Sequence, residues 1–118
     1  MNLLRPILIA FALSLAAISA PALAQDFKTG VEAYGRGDFA TALREFRPLA
    51  EQGHAEAQYN LGFMYWNGNG VPKDDTEAVR WYRLAADQGV AQAQNNLGIM
   101  YAVGRGVTKD DTEAVRWY

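Results

Sequence analysis

Between residues 54 and 118 the apolar positions recur with helical spacing, in two stretches separated by glycine-rich breaks. From Ala55 to Trp66, the small or apolar residues Ala57, Leu61, Met64 and Tyr65 fall at i, i+4, i+7 and i+8, which predicts an amphipathic first helix. The following NGNGVPK stretch, with Gly68, Gly70 and Pro72, interrupts that pattern and predicts a structured loop. A second helix begins behind Asp74-Asp75-Thr76-Glu77, where an N-cap Asp followed three residues later by Glu makes a variant of the capping box. Its apolar face carries Ala78, Val79, Tyr82, Ala85 and Ala86, and it stops near Gly89, a residue suited to a left-handed C-terminal position. Gly53 has the equivalent role in the preceding unit.

The whole pattern then repeats. DDTEAVRWY at 74–82 returns unchanged at 110–118, 36 residues later, and segments 54–82 and 90–118 agree at 21 of 29 positions. A period of this length built from two helices defines a tandem repeat array, an architecture that binds other molecules more often than it transforms them. Residues 26–53 form a looser and shorter unit without the NGNGVPK insertion; its Ala42, Phe46, Ala50 and Gly53 align with Ala78, Tyr82, Ala86 and Gly89. Small residues recur at Ala57 and Ala93, Gly62 and Gly98, and Ala78 and Ala114. A helical Gly costs roughly 1 kcal/mol relative to Ala, so its recurrence predicts a close helix crossing that a side chain would block.

The N-terminal segment belongs to a different class. Arg5 precedes an uncharged run from Ile7 to Ile18, short of the roughly 20 apolar residues of a membrane span, and Ala22-Leu23-Ala24 has the small-x-small form of a signal-peptidase site. Residues 1–24 are expected to be a cleaved export signal, leaving a mature chain from Gln25 that is periplasmic or secreted and not inserted in the membrane; the other reading is an uncleaved anchor, since Pro6 to Ala24 carries no charge, against which stand Pro21 and the short apolar run. Removing Arg5 leaves ten Lys+Arg against thirteen Asp+Glu, so the net charge moves from −2 to −3. Acids and bases are interleaved, which argues against nucleic acid as a partner, since phosphate binding needs clustered cations. With no cysteine in the chain, stability is expected from helix packing alone, in one small domain.

The motif LGFMYWNGNGVPKDDTEAVRWYRLAADQG, with its second copy LGIMYAVGRGVTKDDTEAVRWY from Leu97, resembles the Sel-one-like repeat, an αα unit related to the tetratricopeptide repeat. The likeness covers residues 54–118 strongly and residues 26–53 as a tetratricopeptide-like version. It implies an all-α solenoid of αα-hairpins wound as a right-handed superhelix, with units at about 26–53, 54–89 and 90–118, the last incomplete. It also implies an adaptor for protein complexes and regulation, exported in many bacterial members, with a protein or peptide as partner.

Positions that differ between the copies carry the information about a binding site, because identical ones are mostly explained by packing, caps and turns. Tyr59, Phe63 and Trp66 form an aromatic stripe at i, i+4 and i+7 on the first helix, away from the internal stripe, and their counterparts are Asn95, Ile99 and Ala102. If the first helices line the concave surface, as in tetratricopeptide repeats, Tyr59, Phe63, Trp66, Asn95 and Ile99 are the candidate partner-binding residues; the other reading is that the aromatic stripe is core. Trp81 and Trp117, which sit in identical motifs, are expected in the core.

Catalysis finds no footing in this stretch. Residues 25–118 contain neither Ser nor Cys, so the nucleophile of a β-lactamase-like or other cell-envelope hydrolase would have to lie outside this chain. His54 is the sole histidine, expected as a solvated turn residue without a second ligand, and no metal or cofactor is expected. Asp74-Asp75 and Asp110-Asp111 suit helix N-termini better than a carboxylate dyad or a Ca²⁺ site. The third unit stops at Tyr118 within its second helix, where its counterpart continues to Gln88, so a longer repeat protein is expected.

Overall fold

A computed structural model describes residues 26–118; the expected export signal at 1–24 lies outside the described residues. The described residues form six helices: α1 (Phe27–Gly35), α2 (Phe39–Glu51), α3 (Ala55–Asn67), α4 (Asp75–Asp87), α5 (Ala91–Val103) and α6 (Asp111–Trp117). Each packs on its neighbours in the chain, pairing as α1–α2, α3–α4 and α5–α6 in an all-α repeat solenoid.

Caps place the helix starts. Asp38, Asp74 and Asp110 accept from the backbone N–H of Thr41, Glu77 and Glu113 at 3.2, 3.1 and 3.1 Å, satisfying donors that an open helix end would leave unpaired. The reciprocal half of the expected capping box is not formed. Glu77 turns instead to Arg80 Nε at 3.1 Å, and the N–H of Asp74 is taken by the carbonyl of Tyr65. His54 departs from the expected solvated turn residue. It is half-buried, caps α3 by accepting from the N–H of Ala57 at 3.1 Å through Nδ1, and stacks on Phe27 with centroids 4.8 Å apart. At the end of α4, Gly89 has φ of 93° as expected, and Val90 N–H closes back on Ala85 O.

Two cores run through the array. Phe46, Ala57, Leu61, Met64 and Trp81 belong to the first, and Tyr82, Ala86, Ala93, Leu97 and Met100 to the second. Trp81 and Tyr82 are adjacent in sequence yet face opposite cores, so α4 ties the two together. Each large side chain buried this way contributes roughly 1.5–3 kcal/mol. Trp117 does not match the expectation of a core residue: it is half-buried against the second core, whereas Trp81 is only 3% exposed.

Polar contacts repeat between units with the same period. Gln58 and Gln94 donate to the carbonyls of Ala50 and Ala86, both at 3.1 Å, and Arg47 and Arg83 reach the hydroxyls of Tyr65 and Tyr101. The glycine-rich loops also reach back one unit. A Cβ on Gly70 would collide with Phe39, and one on Gly106 with the backbone carbonyl of Asp75, the residues that open α2 and α4. Both glycines have positive φ, so a side chain is disfavoured by conformation as well as by space.

Candidate protein-interaction surface

Because α1, α3 and α5 occupy the same place in successive pairs, their outward residues form one continuous face. Two apolar clefts lie along it, beside a larger and more polar one between Phe27, Glu56, Tyr59, Asn60 and Gln92. The first, about 200 Å³, is lined by Val31, Tyr34, Phe46, Tyr59, Asn60 and Phe63. The second, about 110 Å³, is lined by Phe63, Trp66, Tyr82, Asn96 and Ile99. Phe63 is common to both and separates them. Phe46 and Tyr82 come from the second helices at equivalent positions, so each cleft is floored by the same site of the repeat.

The aromatic stripe is divided between the two roles set out for it. Tyr59 and Trp66 pack against the second core, with ring centroids 5.8 and 6.5 Å from that of Tyr82. Trp66 is held further by Arg105, whose guanidinium carbon lies 3.7 Å from the ring centroid while its nitrogens bond Asp75 at 2.9 and 3.2 Å. Lys73 shares Asp75 at 2.9 Å. The Arg105 and Lys73 hydrogen bonds, in that order, hold the Asp75 carboxyl below the ordinary carboxylate range. Phe63 belongs to neither core and touches Tyr34 and Tyr59 at centroid distances of 6.4 and 6.2 Å. Of the remaining candidates, Ile99 is 39% exposed and lines the second cleft. Asn95 is exposed and lines neither.

Comparing the copies by their differences passes over much of this surface. Asn60 and Asn96 are identical in the two copies, one in each cleft. Val31 and Tyr34 correspond to Phe63 and Trp66 at a shift of 32 rather than 36, because the α1–α2 turn is four residues shorter than the α3–α4 loop. Tyr82 is wholly buried; burial pushes its phenol pKa up, and the neighbouring Asn96 side chain offsets part of that rise. The lining of both clefts contains no charged side chain.

Helix pairs repeated in this way define an all-α repeat solenoid, and the comparisons agree. The Sel1 repeat model matches residues 55–90 and 91–118, and the chain belongs to that family. Over 52 residues it is 42% identical to an exopolysaccharide production negative regulator of Rhizobium leguminosarum bv. viciae, covering 44% of this chain and 20% of that one. Over 49 residues it is 41% identical to the DAP3-binding cell death enhancer 1 of Rattus norvegicus, covering 42% of this chain and 10% of that one. The chain therefore spans about a fifth or less of these curated relatives.

Solved structures show the same fold. A Sel1 repeat protein from Oxalobacter formigenes superposes with a TM-score of 0.75 at 39% identity, over 79% of this chain and 38% of that one. A protective antigen of uropathogenic Escherichia coli with an SLR fold gives 0.74 at 45% identity, over 90% and 23%. Sel1 repeats mediate protein–protein interaction and are generally non-catalytic scaffolds.

Proposed function

We propose that this chain is an exported adaptor that binds a segment of a partner protein along the face of α1, α3 and α5, with Phe63 as the central anchor. The observation that carries this reading is the pair of adjoining apolar clefts that share Phe63. A ring outside both cores, flanked by clefts on each side, can bury apolar side chains from a partner without disturbing the fold. The carboxamides of Asn60 and Asn96 supply a donor and an acceptor beside each cleft, suited to the main chain of an extended segment. A relative named for binding DAP3 and another named as a negative regulator support a binding role over a catalytic one. Export rests on residues 1–24 and is checked by N-terminal sequencing of the secreted or periplasmic protein, which should begin at Gln25.

Photo-crosslinking tests the binding face. A benzophenone amino acid placed at Phe63 should capture a partner that the same group at Leu84, exposed on α4, does not. The captured protein, once purified, should bind the parent chain and lose affinity for Phe63→Ala. Equal capture from both positions contradicts the proposal.

A further inference from the structure

The polar cleft at the start of α3 extends the first apolar cleft and differs from it in charge. It holds about 540 Å³ and shares Tyr59 and Asn60 with the apolar cleft, so the two are continuous. Its one charged lining residue is Glu56, exposed in the first turn of α3, and no Lys or Arg lines it. Among the described residues Glu56 forms no ion pair, whereas Asp75, Glu77 and Glu113 are each paired, so Glu56 can take a partner's cation without breaking an existing contact. The carboxamide nitrogen of Gln88 is committed to Gly53 O and Gln58 Oε1 at 3.0 and 2.9 Å, which leaves that residue an acceptor to offer rather than a donor. At the start of α5, Val90 supplies no side-chain cap, and the first amides of that helix border the cleft, open to a partner's main-chain carbonyl. An acidic side chain at the same place would meet the Glu56 carboxylate.

We infer that the polar cleft seats a lysine or arginine of the partner segment, its cation beside Glu56, while an apolar side chain of the same segment enters the first cleft. The partner is thereby a mixed basic and apolar segment. Because Glu56 is exposed and the cleft is wide, the pair stays hydrated and screened by salt, and its effect is on selectivity more than on affinity, about threefold for loss of the carboxylate. At the equivalent position the third unit carries Gln92, which lines the same cleft from α5, so the acid belongs to one unit only. This inference rests on the proposed binding face, and its test separates the two.

A library of dodecamer peptides displayed on phage is selected in parallel on the full chain, on Glu56→Gln, on Glu56→Lys and on Phe63→Ala. Glutamine already occupies the matching position 92, and position 56 is exposed, so these changes leave the fold intact. The parent should enrich Lys or Arg at a fixed spacing from an apolar residue. Selection on Glu56→Gln should keep the apolar residue and lose the basic one, and selection on Glu56→Lys should replace it by Asp or Glu. A synthetic peptide of the parent's kind should bind Glu56→Gln about threefold more weakly at low salt, and the same peptide with its basic residue changed to Glu should prefer Glu56→Lys to the parent chain. Peptides that require Phe63 but show no basic preference, or that carry Asp or Glu for the parent chain, overturn the assignment of the polar cleft alone. A Phe63-dependent dimer in sedimentation, with no peptide selected, would show that a second copy covers the face and overturn that assignment too. Absence of any Phe63-dependent peptide or dimer overturns the binding face and the cleft assignment together.

Discussion

Gly62 on α3 lies flat against the ring of Tyr82 on α4: a Cβ added to Gly62 would come 2.9 Å from Tyr82 Cδ1 and 3.3 Å from the carbonyl of Ala78. Gly30 stands in the same relation to Phe46, and Gly98 to Tyr118. The recurring glycine thus sets how closely the two helices of a pair approach. Gly62→Ala should gain up to about 1 kcal/mol in helix propensity and lose about 1–3 kcal/mol to overpacking, a net fall in melting temperature. Gly35→Ala, in a helix where an added Cβ meets nothing within 4 Å, should hold or raise it. Thermal unfolding of the two variants by circular dichroism checks the contrast, and equal behaviour would show that the close crossing does not govern stability.

Phe63 and Trp66, one turn apart on α3, should respond in opposite ways. Trp66 carries Arg105 on its ring and packs on the second core, so Trp66→Ala should cost about 3 kcal/mol of stability. Phe63 lies outside both cores, and Phe63→Ala should cost about 1 kcal/mol or less while weakening partner binding about tenfold or more. Denaturant titration paired with binding measurements on each variant separates the two effects.

Asp75 links units through Arg105 and also accepts from Lys73 of its own unit, and these hydrogen bonds lower its pKa below the ordinary 3.8. A carboxyl whose folded-state pKa is depressed adds stability at pH values above its unfolded pKa and loses it as pH falls through the folded value. Thr29 and Thr41, through side-chain hydrogen bonds first, lower Asp26 and Asp38 in the same direction. The melting temperature should therefore fall as pH drops below about 4, and Asp75→Asn should start lower at pH 7 and fall less steeply. A pH series of melts on the two proteins tests this; parallel curves would show that Asp75 does not contribute to the acid sensitivity.

The cap of α3 gives a smaller, sharper test. His54→Ala removes both the acceptor for Ala57 N–H and the stacking on Phe27, and should cost about 1 kcal/mol. His54→Asn restores an acceptor at the cap and should recover some of that loss. Hydrogen exchange at the Ala57 amide reads the cap directly, with faster exchange in the Ala variant.

The sequence exposed what depends on period and hid what depends on partners in space. Its repeat specified the helix pairs, the Asp74 cap and the Gly62 crossing, since these follow from local spacing. It misplaced Glu77, because an exposed carboxylate can reach either the cap or Arg80 and only the side-chain geometry decides. It passed over Gln58, which is 4% exposed and donates to Ala50 one unit back, because a polar residue shared by both copies gives no sign of where it points. Asn60 and Asn96 were hidden for the same reason. Val31 and Tyr34 were hidden by the change of shift across the shorter α1–α2 turn. Of the aromatic stripe, Phe63 proves free of both cores while Tyr59 and Trp66 help build the second, a division that helical spacing alone does not reveal.

Whether a partner binds at the face centred on Phe63 is read most directly from the affinity of the purified, crosslink-identified partner for the full chain, for Phe63→Ala and for Leu84→Ala. We predict a loss of about tenfold or more for Phe63→Ala with Leu84→Ala unchanged. An unchanged affinity for a folded Phe63→Ala, or a loss confined to Leu84→Ala, would contradict the proposed face and move the site to the second helices.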